Sequence, residues 1–244
     1  MTEYTRSATY QRCQARFDRT YPGFIDAGSL FGARVADRIG PTTRVLDVGA
    51  GRMSLAGEAL RRAGLTVGID LVLADLRRNR DLAAAVVADA TALPFADGGF
   101  DLVVSEWVVE HFADPGRAFA ELARVLVPGG RVILFTTNAH NYVPLAARCV
   151  PAWLRITVLQ RLLRRPAHES HPVYYRANTR SALDRLAAQS GLVLAECTFV
   201  GNPFYLAFAE PLFRLALAFE QLTDRSALRG LKLYIVATLE KPGA

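Results

Sequence analysis

The chain has 244 residues, of which 51% are hydrophobic and 21% charged, which is enough apolar material for a sizeable core and argues against disorder. Its formal net charge is +6, but the basic residues are almost all arginine, so where the charge sits says more than its sum. No stretch supplies the roughly 20 apolar residues of a spanning helix, and three scattered cysteines (Cys13, Cys149 and Cys197) argue against a disulfide framework or a metal knuckle.

Residues 1–40 read as helical, with Phe24, Leu30, Phe31, Val35 and Ile39 at helical spacing, and Gly40-Pro41 as the stop. From there short apolar runs alternate with helical patterns: strand 44–48 then helix 55–63, strand 66–69 then helix 73–82, strand 85–88, strand 100–104 then helix 115–126, and strand 131–135. That alternation predicts βαβ units and a mostly parallel sheet with helices on both faces. Asn178-Thr179 opens a further helix over 181–189, Gly191 stops it, and strands follow at 192–200 and 231–239. Insertions interrupt this plan at 139–176 and 201–230. The expected organisation is one domain over 1–244, with a helical cap (1–40), a ligand-binding core (41–138), a lid insertion (139–176) and a C-terminal helix and strands (177–244).

The stretch from Val45 to Gly57 reads VLDVGAGRMSLAG. Asp47 falls near the end of a buried strand, and Gly49 and Gly51 permit a sharp turn that brings backbone N–H groups close to a ligand. Asp70 ends the next strand about twenty residues on, a spacing that suits hydrogen bonds to both hydroxyls of an adenosine ribose. A pyrophosphate cradle usually has a third glycine where this chain has Ser54, and Asp47 would repel a pyrophosphate. A ligand with an ammonium group and no phosphate would gain from Asp47.

Further motifs follow in order: Val87-Ala88-Asp89-Ala90-Thr91-Ala92-Leu93-Pro94-Phe95, then Phe100 to Glu106, then Val109-Glu110-His111-Phe112-Ala113-Asp114-Pro115, then Leu126-Val127-Pro128-Gly129-Gly130-Arg131. Over residues 41–138 this set resembles the class I S-adenosylmethionine-dependent methyltransferases, closest to the branch that modifies quinones, sterols and sugars. The resemblance implies a Rossmann-like α/β fold with a seven-stranded, mostly parallel sheet, and S-adenosylmethionine as cofactor. It implies that Asp47, Gly49 and Gly51 hold the methionine end, Asp70 and Leu71 the ribose side, Asp89 and Ala90 the adenine, and that Ser105 and Glu106 line the site near the methyl group. The family's third loop glycine is Met53 here, where the chain is expected to be helical already and so able to carry a side chain.

Methyl transfer from a sulfonium is an in-line displacement on an activated carbon, so orientation supplies much of the rate and a general base is an addition. Candidates for that base are His111, just beyond the fourth strand, and His140, just beyond the fifth. His168 and His171 read as members of a solvated loop. Some quinone O-methyltransferases of this family bind a metal through a Glu-x-x-Glu-His run. Here Trp107 stands three before Glu110, with Glu106 displaced by one, so no metal site is expected.

Between Glu121 and Glu169 there is no acidic residue, while Arg148, Arg155, Arg161, Arg164 and Arg165 accumulate among apolar residues. That pattern suits a helix capping the active site, a peripheral contact with an anionic membrane, or a plain lid helix. The apolar, aromatic run 204–219 suits a core or dimer contact more than lipid. Together the insertions favour a small-molecule or lipid-like acceptor. The alternatives are a nucleic-acid methyltransferase, against which stand the absence of a nucleic-acid-binding module and of an Asn-Pro-Pro-Tyr-like run, and a non-catalytic S-adenosylmethionine-binding module. Met1 to Tyr4 lack the basic start of a secretory leader, and with the scattered cysteines this predicts a cytoplasmic protein.

Overall fold

The computed structural model describes residues 7–149 and 172–243. In chain order the elements are α1 (Ala8–Thr20), α2 (Ala27–Ala36), β1 (Arg44–Val48), α3 (Gly57–Leu60), β2 (Leu65–Asp70), α4 (Leu73–Leu76), β3 (Ala84–Val87), β4 (Phe100–Glu106), α5 (Pro115–Val125), β5 (Leu126–Thr137), α6 (Tyr142–Cys149), α7 (Arg180–Gln189), β6 (Val193–Val200), α8 (Glu210–Thr223) and β7 (Tyr234–Glu240). Short 3-10 turns stand at Val109–His111, Pro203–Leu206 and Ser226–Leu231.

The chain divides into two compact units. A sheet unit gathers the described residues of Ala27–Thr137, Val173–Thr198 and Ile235–Ala244, and a helical unit gathers the described residues of Met1–Asp26, Asn138–Pro172 and Phe199–Tyr234. The described residues of the helical unit come from α1, α6 and the stretch around α8, while α2, read with α1 as one N-terminal cap, belongs to the sheet unit.

The seven strands form one sheet in the order β3-β2-β1-β4-β5-β7-β6. The pairs β1–β2, β1–β4, β2–β3 and β4–β5 are parallel. β7 runs against β5: the Gly129 N–H donates to the Lys241 carbonyl at 2.8 Å and the Lys241 N–H to the Gly130 carbonyl at 2.9 Å, pairing the start of one strand with the end of the other. The sheet is therefore mixed but mostly parallel. In β1 and β4 consecutive residues are buried, Val45 to Val48 and Leu102 to Ser105. Since neighbouring side chains on a strand point to opposite faces, both faces of the sheet centre are covered. α2 supplies part of the cover by setting Phe31 against Phe135 of β5, ring centres 6.0 Å apart. α5, capped by the Asp114 carboxylate on the Arg117 N–H (3.0 Å), buries Phe119, Leu122 and Val125.

Two long helices expected after β1 and β2 are single turns. The pattern over 55–63 yields only Gly57–Leu60, and that over 73–82 only Leu73–Leu76. In each case long-range side-chain bonds outcompete local helix propensity. Ser54 and Leu55 N–H groups are taken by Asp81 and Glu106, and Asn79 reaches back to the Ala50 carbonyl at 2.8 Å. Met53 therefore lies in irregular chain, 72% exposed, and not in a helix as expected. The single helical segment read over 1–40 is two helices, broken at Gly23, whose φ is +73°.

Within the helical unit, Cys13 and Phe17 of α1 pack with Ala207, Phe213 and Leu217 from the second insertion. A core role for that apolar run follows. Beside it Lys232 bonds Glu220 at 3.3 Å and Asp224 at 2.9 Å, and Asp224 also accepts the Tyr21 hydroxyl at 2.7 Å.

Candidate cofactor site

The strand order turns back at β1 and β4, and open α/β sheets collect ligands beside such a switch, at the carboxyl ends of the strands. Three of the expected acids stand there: Asp47 near the end of β1, Asp70 closing β2 and Glu106 closing β4. Asp47 pairs in register with Gly68 on one side and Val104 on the other, so it sits mid-sheet. It is 1% exposed, and neither carboxylate oxygen has a hydrogen-bond partner. Burial first, then the nearby acids Glu106, Asp81 and Asp70, push its pKa well above the usual carboxylate range. A buried carboxylate with no donor is costly; a ligand that brings a cationic donor relieves that cost.

The loop after β1 is shaped for close approach. Gly49 and Gly51 have φ of +75° and +48°, and a Cβ on Gly49 would run into Val108, so glycine is required there. The Gly49 and Ala50 N–H groups donate to the Ile69 carbonyl at 2.8 and 2.9 Å. The Gly51 N–H donates to Asp70 Oδ2 at 3.0 Å, and Val72 N–H to Asp70 Oδ1 at 2.8 Å. Each Asp70 oxygen keeps a lone pair for a further donor such as a hydroxyl. Leu71 beside it is exposed.

Asp89 closes a turn, accepting Thr91 N–H and hydroxyl on Oδ1, both at 2.8 Å, next to buried Ala90. Ser105 is fully buried with no partner for its hydroxyl. Glu106 accepts the Leu55 N–H with both oxygens, at 3.0 and 3.1 Å. Burial, aided by Asp81 and opposed by the Leu55 N–H and the Ser54 side chain, takes its pKa up to about 7.

His111 ends the 3-10 turn after β4 and is partly buried. Its neighbour Glu110 is buried and accepts the Thr136 hydroxyl at 2.6 Å, which in turn receives Asn178 Nδ2 at 2.6 Å. The Glu110 carbonyl takes the Tyr174 N–H at 2.8 Å, tying the chain before α7 to this turn. His140 is exposed and belongs to the helical unit. All nine expected cofactor residues and His111 thus fall in the sheet unit, and His140 does not. Arg155, Arg161, Arg164, Arg165, His168 and His171 lie outside the described residues.

Two residues that sequence reading passed over belong to this site. Asn79 Nδ2 donates to the carbonyls of Ala50 (2.8 Å) and Gly51 (3.4 Å). Asp81 accepts the Ser54 N–H at 3.3 Å and pairs with Arg61. The signal that would have found them is Asn79-Arg80-Asp81 itself, three polar residues where a helix was expected to carry on.

Residues 46–134 match the family described as "Methyltransferase domain". A demethylmenaquinone methyltransferase of Renibacterium salmoninarum is 40% identical over 116 residues, 45% of this chain and 48% of that one. The human protein named "Probable tRNA methyltransferase 9B" is 36% identical over 129 residues, 49% of this chain and 27% of that one. The chain thus spans less than half the length of these relatives. Among solved structures, geranyl diphosphate C-methyltransferase from Streptomyces coelicolor, in complex with Mg2+, geranyl diphosphate and S-adenosyl-L-homocysteine, superposes with a TM-score of 0.56 at 17% identity. It covers 97% of this chain and 86% of its own, a likeness of fold.

Proposed function

We propose, for a chain whose residues 46–134 form a methyltransferase domain on the class I S-adenosylmethionine-dependent fold, that it methylates a small-molecule or lipid-like acceptor. The observation that carries this reading is the unpartnered, buried carboxylate of Asp47 beside the left-handed glycines of a switch-point loop. Those features suit a ligand with a cationic amino-acid end and disfavour a pyrophosphate.

In this reading Asp47 receives the ammonium of the cofactor's methionine end, with Gly49 and Gly51 giving the backbone clearance. Asp70 accepts the ribose hydroxyls on its spare lone pairs, with Leu71 alongside. Asp89 and Ala90 meet the adenine. Ser105 and Glu106 face the reacting end, where the buried Ser105 hydroxyl has a donor to offer. S-adenosylmethionine, when bound, supplies a methyl group already activated by its sulfonium. What remains for the protein is to hold the acceptor in line and keep water out, orientation being worth up to about 7–11 kcal/mol in well-aligned systems. His111, carried on the turn beyond β4, takes the acceptor's proton where the acceptor is a hydroxyl. His140 is the second candidate for that role.

The demethylmenaquinone relative supports an acceptor with an apolar body, and the basic, apolar composition of 139–176 suits peripheral contact with a membrane that stores such molecules. The free thiols of Cys13 and Cys197 suit a reducing, cytoplasmic setting. The tRNA methyltransferase relative favours the second reading, a nucleic-acid acceptor. The test is transfer of labelled methyl from S-adenosylmethionine into cell extracts split into lipid, aqueous small-molecule and RNA pools. Label in the lipid pool, reduced at least 100-fold in Asp47→Ala, supports the proposal; label only in RNA replaces it with the second reading.

A further inference from the structure

The loop from Gly49 to Leu55 is held in an unusual way. A turn of this kind ordinarily runs straight into a helix, whose first N–H groups then face the ligand. Here the helix begins only at Gly57, and two of the N–H groups before it, with two loop carbonyls, are met by side chains from elsewhere in the sheet unit. Asp81 accepts the Ser54 N–H, and Glu106 the Leu55 N–H. Asn79 spans the carbonyls of Ala50 and Gly51, and is itself pinned by the Asp81 N–H, which donates to Asn79 Oδ1 at 2.9 Å. Gly57 lies so close to Asp81 that a Cβ there would overlap its carboxylate. Asn79 and Asp81 are both buried, while Met53, in place of the family's third glycine, points out.

We propose that Asn79 and Asp81 are positioning residues for the cofactor: a brace that fixes the glycine loop in place of the missing helical turn and so holds the site for the amino-acid end of the ligand. The inference rests on the methyltransferase reading above. Its chemistry also bears on specificity. Because Asp81 and Glu106 consume the N–H groups of Ser54 and Leu55, the loop has few donors left for a phosphate. Because Asn79 occupies the carbonyls of Ala50 and Gly51, Asp47 at the base of the loop remains the acceptor for a cation. The brace makes the loop a receptor for an ammonium group where a bare helix start would favour an anion.

The test compares two ligands that share an adenosine but differ at the other end: S-adenosylhomocysteine, which has the amino-acid tail, and 5′-methylthioadenosine, which lacks it. Titration calorimetry is run on the full chain, its Asn79→Ala and Asp81→Ala variants, and Asn79→Asp, which keeps the shape of Asn79 but has no amide to donate. Loss of one or two buried hydrogen bonds corresponds to weakening of about 10- to 100-fold. The expected result is that S-adenosylhomocysteine weakens by that factor in every variant that folds, while methylthioadenosine changes less than about threefold. Equal weakening of both ligands would overturn the proposal, since it would make the segment a general structural support. Unchanged binding of both would overturn it as well. Failure of the unaltered chain to bind either ligand would instead defeat the methyltransferase reading itself.

Discussion

Two buried acids in this chain meet opposite fates. In the helical unit Glu220, 2% exposed, is met by Lys232 Nζ at 3.3 Å and by the Asn202 N–H at 3.1 Å. In the sheet unit Asp47, just as deeply buried, has no donor on either oxygen. A buried charge that serves the fold is paired as the chain folds, because leaving it bare costs more than most single interactions return. A bare one persists only where the surrounding sheet is rigid enough to hold it, and that is the condition of a binding residue. The difference separates an acid that builds the protein from an acid held ready for a ligand.

The largest effect that can break this comparison is on Glu220. Lys232→Ala strips it of its cation, and chemical denaturation is expected to show a loss of about 3–5 kcal/mol. A loss below about 1 kcal/mol would mean that Glu220 is no more dependent on its partner than Asp47. Next comes Asp47→Asn, which keeps the shape of the protonated acid but cannot ionise to meet a cation. Affinity for S-adenosylhomocysteine is expected to fall about 10- to 100-fold, while the melting temperature without ligand holds or rises. A fall in both would place Asp47 with the structural acids.

Acidity sharpens the contrast further. Asp47 and Glu106 both have pKa values raised in the folded chain, Glu106 to about 7 and each chiefly by burial. Such groups favour the fold while protonated, so their contribution is complete below the unfolded carboxylate range of about 4 and is lost as the pH rises through the folded value. The ligand-free protein should therefore lose stability between pH 5 and 8, with a shallower slope in Glu106→Gln, as followed by thermal melts across that range. Binding of a cationic end reverses the preference of Asp47. S-adenosylhomocysteine should bind more tightly as the pH rises, with proton release visible as a heat that depends on the buffer. Smallest is Tyr21→Phe, which deletes one hydroxyl bond to the rim acid Asp224. It is expected to cost about 1 kcal/mol in denaturation and to leave ligand binding unchanged.

How much of this was legible in the sequence follows from the range of the interactions involved. The strands around Asp47, Asp70 and Glu106, and the glycines between them, are set by local periodicity and spacing, and they were read correctly as to place. The four-residue helices at Gly57 and Leu73 were over-read. What truncates them is a set of bonds between residues 23 to 51 positions apart, such as Asp81 with Ser54 and Glu106 with Leu55, and no window along the chain contains both partners. For the same reason Asn79 and Asp81 looked like the end of a helix and not like part of a site. The split of residues 1–40 between two units was equally hidden, because α1 and α2 are both ordinary amphipathic helices whose partners, Phe213 and Phe135, lie far along the chain.

The most direct measurement is calorimetric titration of the full chain with S-adenosylhomocysteine, run beside NAD as a dinucleotide that offers the same adenosine and a pyrophosphate. The account predicts saturable one-site binding of S-adenosylhomocysteine, lost in Asp70→Ala, and none of NAD. Saturable binding of NAD with none of S-adenosylhomocysteine would contradict it, for it would show that the loop receives an anion and that the bare carboxylate of Asp47 is not its acceptor.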